Sequence, residues 1–91
     1  MAIMTVNFNQ IGISSLPADK PVLYRILTAG GSLNYAGIAQ RGEVRKRISR
    51  HLGKIPGAKV HIEQFSSIDD ARDKEPRVIK RNQPPYNKQG K

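Results

Sequence analysis

The sequence predicts a small α/β domain in which a three-stranded antiparallel sheet is flanked by two helices. Two apolar, β-prone segments lie on either side of a Gly-Gly pair at residues 30 and 31, which is a typical β-hairpin pattern. A third β-prone segment spans 60–65, and the segments 42–52 and 67–81 repeat apolar residues at helical spacing. A chain of 91 residues has room for one domain with one modest core.

The N-terminal part of the chain has the weakest pattern. Residues 3–8 alternate only partly between apolar and polar side chains, which is compatible with an edge strand, and a glycine and two prolines then predict irregular structure. We therefore expect three parts: an N-terminal arm at 1–21, the domain itself at 22–87 and a basic tail at 88–91.

The hairpin determines which side chains share a face of the sheet. If the Gly-Gly pair forms a two-residue turn, Ile26 lies opposite Tyr35 and Tyr24 lies opposite Gly37. The two tyrosines are then diagonal neighbours on one face, and Gly37 leaves space beside the Tyr24 ring. Two tyrosines on one sheet face are more often packing residues than chemical groups, so the hairpin alone does not predict a site.

The first predicted helix combines an apolar stripe with basic side chains. Apolar residues recur every four positions from Val44 to Leu52, and a glycine follows at the predicted end. Arg47 and His51 are also four residues apart and share one flank, with Arg50 beside them. Taken singly, Arg47 is better explained as a solvated charge and His51 as a helix-end histidine favoured by the helix dipole.

The third strand and the second helix contribute two carboxylates in different settings. Alternation along the strand predicts that His61 and Glu63 face solvent. In the helix, which Ser67 is expected to cap, Glu75 lies within the apolar stripe. A carboxylate on an apolar face is costly unless it is paired or bound to metal, so an arginine partner and a metal site both stay open. Pro76 is expected to kink or interrupt the helix.

The charge distribution points to a polyanionic partner. The formal net charge is +9, and residues 41–54 hold six basic side chains against one acidic side chain. Segregated basic charge of this kind favours nucleic-acid binding. The side chains expected to contact the nucleic-acid backbone are Arg45, Lys46, Arg50, Lys54, Lys80 and Lys88.

Composition also excludes several classes of protein. The chain has no cysteine, which rules out a disulfide framework and a thiolate metal site. It has no long apolar segment and no signal-peptide pattern, so we expect a soluble, cytoplasmic protein with no membrane partner.

In their order along the chain, these residues resemble the motif set of the GIY-YIG nuclease domain. Val22-Leu23-Tyr24 stands where that family has its Gly-Ile-Tyr motif, and Tyr35-Ala36-Gly37 stands where it has Tyr-Ile-Gly. Arg47, Glu75 and Asn87 match the family's helix arginine, its metal-binding glutamate and its late asparagine. The segment from Glu75 to Asn87 is also similar to the incision domain of bacterial excision-repair nucleases, and the Arg47–His51 segment to phage homing nucleases.

The resemblance implies a metal-dependent endonuclease that hydrolyses DNA phosphodiester bonds. It implies that Glu75 holds one Mg²⁺ or Mn²⁺ ion and that Arg47 binds the phosphoryl oxygens. Tyr35, aided by Tyr24, would orient or deprotonate the attacking water, and His51 is the competing base. We assign Tyr35 as the base because the hairpin brings the tyrosines together, whereas His51 lies one turn beyond Arg47. The full set of implied catalytic residues is Tyr24, Tyr35, Arg47, His51, Glu75 and Asn87.

Other interpretations stay open at this stage. One alternative is a non-catalytic basic module, ribosomal or architectural, that binds nucleic acid. Another is a structural or interaction protein on a retired nuclease fold. The resemblance implies DNA as the partner, with specificity supplied by a homodimer partner or by a separate targeting protein.

Overall fold

A four-stranded antiparallel sheet with helices against both faces forms the framework of the domain. The structure is a computed structural model and describes residues 3–90. The elements in chain order are β1 (Ile3–Asn7), α1 (Gln10–Ser14), β2 (Val22–Leu27), β3 (Leu33–Ala39), α2 (Val44–Ser49), β4 (Lys59–Gln64), α3 (Ile68–Asn82) and a 3₁₀ segment (Pro85–Gly90). The strand order across the sheet is β1-β4-β2-β3. The α/β class is thus confirmed.

The prediction of three strands is wrong, because β1 adds a fourth strand at the edge. It pairs with β4, with Met4 opposite Ile62 and Val6 opposite Val60. Of the residues in β1, Val6 is half-buried and the others are exposed. An edge strand that buries so little needs no regular apolar alternation, which is why its pattern in the sequence is weak.

The expectation of an irregular N-terminal arm is also corrected. Asn9 caps α1, with its side-chain oxygen accepting from the Gly12 backbone N–H at 2.7 Å. Ile13 and Leu16 are fully buried in the main core. A helix of one turn is too short to show a 3.6-residue period, so no periodic pattern in the sequence indicates it.

The predicted pairing of the hairpin is confirmed, but its turn is not the one expected. Tyr24 lies opposite Gly37 and Ile26 opposite Tyr35. The Thr28 N–H donates to the Ser32 carbonyl at 2.9 Å, which shows that the loop is one residue longer than the predicted two-residue turn. The strand register shifts between Ile26 and Leu27, so an irregularity in the ladder absorbs the longer loop and restores the predicted pairing.

The two faces of the sheet carry different cores. The larger core lies beneath α1 and α2 and includes Tyr24 and Ile48, with Tyr35 packed against it. On the opposite face, Val78 of α3 packs with Leu23 and Ala36. The prediction that Glu63 faces solvent is wrong, because α3 covers its face and leaves it 5% exposed. His61, on the same face, is half-buried.

The second predicted helix is confirmed as α3, and the cap at Ser67 is confirmed by an Asp70 N–H to Oγ hydrogen bond of 3.3 Å. The helix is continuous through Pro76, so the predicted interruption is wrong. Pro76 is exposed, so water is available to the Arg72 carbonyl that lacks an amide partner. Packing of the buried side of α3 outweighs this single lost bond.

No helix within residues 3–90 is both long and apolar enough to cross a membrane.

Candidate functional site

Three aromatic rings from distant parts of the chain form a cluster on the α2 face of the sheet. The ring centroids of Tyr24 and Tyr35 are 6.1 Å apart, and those of Tyr35 and His51 are 4.6 Å apart. The Tyr24 hydroxyl and His51 Nε2 are hydrogen-bonded at 2.8 Å. The structure therefore brings both candidate bases, Tyr35 and His51, into one contact group.

Local backbone geometry explains how His51 reaches the tyrosines. The α-helix ends at Ser49, earlier than predicted, and the next turns tighten. The His51 N–H donates to the Ile48 carbonyl at 3.0 Å, and the Leu52 N–H donates to the Ser49 carbonyl at 3.1 Å. These bonds span three residues rather than four, as in a 3₁₀ turn. The expectation that His51 lies away from the tyrosines, at the far end of a regular helix, is therefore corrected.

Burial sets the protonation states of the hydrogen-bonded pair. Burial raises the pKa of Tyr24 well above its ordinary value, the neighbouring Tyr35 phenol raises it further, and the positive charge of Arg47 partly offsets the rise. Burial also lowers the pKa of His51, with smaller contributions from the charges of Lys54 and Arg47. At neutral pH, Tyr24 is thus a protonated phenol and His51 a neutral imidazole. This pairing suits donation from the Tyr24 hydroxyl to Nε2 of His51.

Two opposite charges act on this cluster from two different helices. Arg47, exposed on α2, lowers the pKa of Tyr24, and Glu75, half-buried on α3, raises it. The two charged residues implied by the family resemblance therefore lie within electrostatic range of the same hydroxyl group.

The chemistry of Glu75 fits a magnesium or manganese ligand. Within residues 3–90, no group of three or more His, Cys, Asp or Glu side chains is arranged to hold a metal ion. Mg²⁺ does not require such a group, since it binds through one or two carboxylates and completes its shell with water and substrate phosphate oxygens. A single carboxylate within electrostatic range of the ring cluster is therefore a compatible donor set, and Glu75 supplies it.

Asn87 ties the C-terminal segment to the edge of the sheet beside the cluster. Its Oδ1 accepts from the Ala36 N–H and its Nδ2 donates to the Ala36 carbonyl, both at 2.8 Å. The amide thus pairs with an edge strand as a neighbouring strand would. Ala36 lies between Tyr35 and Gly37, so Asn87 fixes the backbone that carries the second motif.

Most of the basic side chains expected to contact nucleic acid are exposed. Arg45 is partly engaged, because its Nε donates to the Leu16 carbonyl at 2.7 Å and links α2 to the end of α1. Lys88 lies outside the residues whose side chains the structure describes. The exposed residues of the predicted set are Arg45, Lys46, Arg50, Lys54 and Lys80.

The chain matches no protein-family model, and no curated protein matches it significantly. The functional interpretation therefore depends on the residues and on their geometry.

The packing of Gly37 gives the first testable prediction. A Cβ atom at this position would lie 2.7 Å from the Tyr24 hydroxyl oxygen and 3.1 Å from Tyr35 Cε2. We expect Gly37→Ala to displace the ring cluster and lower the free energy of unfolding by about 1–3 kcal/mol. Urea denaturation measures the loss, with Gly30→Ala as the control, because a Cβ there meets only Thr28 Oγ1 at 3.9 Å. Equal stability of the two variants would contradict the predicted packing.

Proposed function

We propose that the chain is a metal-dependent endonuclease of the GIY-YIG type that hydrolyses DNA phosphodiester bonds. The observation that carries this proposal is the meeting of Tyr24, Tyr35 and His51 within electrostatic range of Arg47 and Glu75. Hydrophobic packing alone requires neither a histidine hydrogen-bonded to a buried phenol nor charges of both signs within electrostatic range of it. The same residues match the family's motifs in order along the chain.

The distribution of positive charge supports a nucleic-acid substrate. Lys46, Arg50 and Lys54 are exposed on α2 and on the turns that follow it, the segment that also supplies His51. Basic side chains bind the phosphate backbone without sequence preference and release condensed counterions. A DNA strand held along this segment would place a phosphodiester near the ring cluster.

The proposed chemistry assigns different tasks to the two tyrosines. Tyr24 is 1% exposed and hydrogen-bonded to His51, so it positions the imidazole and the Tyr35 ring rather than contacting substrate. Tyr35 is half-buried and is the phenol of the cluster that solvent can reach. We assign Tyr35 to orient or deprotonate the attacking water, and His51 is the competing base.

The two charged residues would stabilise the reacting phosphate. The Arg47 guanidinium can donate two parallel hydrogen bonds to phosphoryl oxygens as negative charge increases there. Glu75 would hold the Mg²⁺ or Mn²⁺ ion, which supplies Lewis-acid stabilisation of the leaving oxygen when bound.

Plasmid cleavage tests the proposal directly. We expect supercoiled plasmid to become nicked or linear with Mg²⁺ or Mn²⁺ and to stay intact with a chelator. A gel-shift assay on the same plasmid measures binding independently of cleavage. Binding without cleavage in both metals, across the neutral and mildly alkaline range, would favour the non-catalytic module instead.

A further inference from the structure

A second charged cleft lies on the opposite face of the sheet, between β2 and α3. Its volume is about 440 Å³. Arg25 lines it from the sheet, and α3 supplies basic and acidic side chains from successive turns. The charged residues that line the cleft are Arg25, Lys74, Arg77, Arg81, Asp70 and Asp73. None of them belongs to the proposed active site or to the basic set described above.

Arg25 is the unusual residue in this cleft. It interrupts a strand whose other members are apolar or aromatic, and its side chain is only 20% exposed. Its nearest charged partner is Glu63, with 3.7 Å between NH1 and Oε1, which is longer than a hydrogen bond. Among the described residues, no hydrogen bond involves the Arg25 guanidinium, which carries five N–H donors.

The carboxylate of Glu63 is already neutralised by another residue. Lys74 Nζ donates to both of its oxygens, at 2.8 and 2.9 Å. The Glu63 side chain is only 6% exposed and that of Lys74 is 41% exposed, so the pair is well formed, with the carboxylate buried and the ammonium group open to solvent. The positive charge of Arg25 is therefore additional to a carboxylate that Lys74 satisfies.

Two further arginines extend the positive charge along the wall of the cleft. Arg77 and Arg81 are four residues apart on α3, so they lie on the same side of the helix. Neither forms a salt bridge with a described residue. The two aspartates lie on the N-terminal half of α3 and the arginines on its C-terminal half, so the cleft is positive at one end.

We propose that the Arg25, Arg77 and Arg81 end of this cleft binds a phosphate group. The planar guanidinium matches phosphate oxygens in paired hydrogen bonds, and a half-buried arginine with unused donors gains most from such an anion. The phosphate can belong to a nucleic-acid strand or to a free anion, and the experiment below separates the two. The site does not depend on the proposed nuclease activity, since none of the residues that line it belongs to the proposed catalytic set and the ring cluster lies on the other face of the sheet.

His61 provides a direct readout for this cleft. It lies opposite Arg25 in the pairing of β2 with β4, and its ring Nδ1 is 2.8 Å from Thr5 Oγ1. Burial lowers the pKa of His61, the charge of Arg25 lowers it further, and Glu63 partly offsets the change. An anion bound to Arg25 offsets the Arg25 charge, so it raises the pKa of His61. The chain has two histidines, and the other one, His51, reports on the opposite face.

The experiment follows both histidine ring signals by NMR during pH titrations. The probes are inorganic phosphate, a short DNA oligonucleotide, and sodium chloride at matched ionic strength. The test variant is Arg77→Gln, because its side chain is exposed and the fold does not depend on it. The matched control is Arg72→Gln, which removes one positive charge from the same helix but outside the cleft, at a residue paired with Asp69.

We expect phosphate to raise the pKa of His61 more than chloride does, independently of any change at His51, which reports on the opposite face. Arg77→Gln should weaken phosphate binding about tenfold or more, since it removes charge-assisted hydrogen bonds, whereas Arg72→Gln should not. A response to both phosphate and oligonucleotide assigns the site to nucleic-acid strands, and a response to phosphate alone assigns it to free anions. The proposal is overturned if neither probe moves His61 beyond the chloride control, or if Arg72→Gln weakens binding as much as Arg77→Gln.

Discussion

We expect Glu75→Gln to abolish metal-dependent DNA cleavage while DNA binding stays equal or becomes tighter. The substitution keeps the shape of the side chain and removes the carboxylate proposed to hold Mg²⁺ or Mn²⁺. Loss of one preorganised electrostatic group in a phosphoryl-transfer site typically costs about 10²–10³-fold in rate, and loss of the metal costs at least that much. Binding should not weaken, because a negative charge near the phosphates is removed. Single-turnover cleavage and gel-shift titration measure the two effects separately.

The control for this prediction is Glu43→Gln, which changes charge by the same amount. Glu43 is exposed at the start of α2 and makes no capping hydrogen bond through its side chain, so cleavage should be unchanged. Thermal denaturation of Glu75→Gln separates a chemical role from a structural one. Removing one partner of a buried ion pair typically costs about 3–5 kcal/mol. If Glu75→Gln lowers the free energy of unfolding by that amount, Glu75 has a structural role as the partner in an ion pair.

The part of the site on the hairpin could be predicted because it depends on local rules. The two-residue periodicity of strands and a short loop suffice to place Tyr24 opposite Gly37 and beside Tyr35. The predicted turn was one residue too short, but a compensating irregularity in the hydrogen-bond ladder preserves the predicted pairing. The apolar faces of the strands fix the register more strongly than the turn does.

The long-range features of the site could not be predicted in this way. Tyr24 and His51 are 27 residues apart, and no local pattern signals the hydrogen bond between them. The partnership of Glu63 with Lys74 depends on α3 crossing the face that alternation alone assigned to solvent. Sequence periodicity identifies the faces of each element, but not which element covers each face. The second cleft was not predicted, and the one sequence feature that marks it is an arginine, Arg25, among the apolar and aromatic residues of its strand.

We expect Tyr35→Phe to lower the single-turnover cleavage rate by about 10²–10⁴-fold, the usual cost of losing a general base. The substitution removes one hydroxyl group and keeps the ring that packs against His51 at 4.6 Å, so stability should barely change. Tyr24→Phe is the matched control, because it also removes one phenolic hydroxyl from the cluster. It breaks the hydrogen bond to His51, and we expect a smaller loss of rate, since Tyr24 is buried away from substrate.

The pH dependence of the same reaction separates Tyr35 from His51 as the base. Burial lowers the pKa of His51 below its ordinary value of 6.5. A histidine base would therefore be mostly deprotonated at neutral pH, and the rate would level off above it. A phenol base, whose ordinary pKa is about 10, would give a rate that still rises through the alkaline range. His51→Ala adds an independent comparison, although it leaves the Tyr24 hydroxyl without its partner at a cost of about 1–3 kcal/mol in stability. A rate that is level above neutral pH, with Tyr35→Phe near normal and His51→Ala inactive but folded, would assign the base to His51.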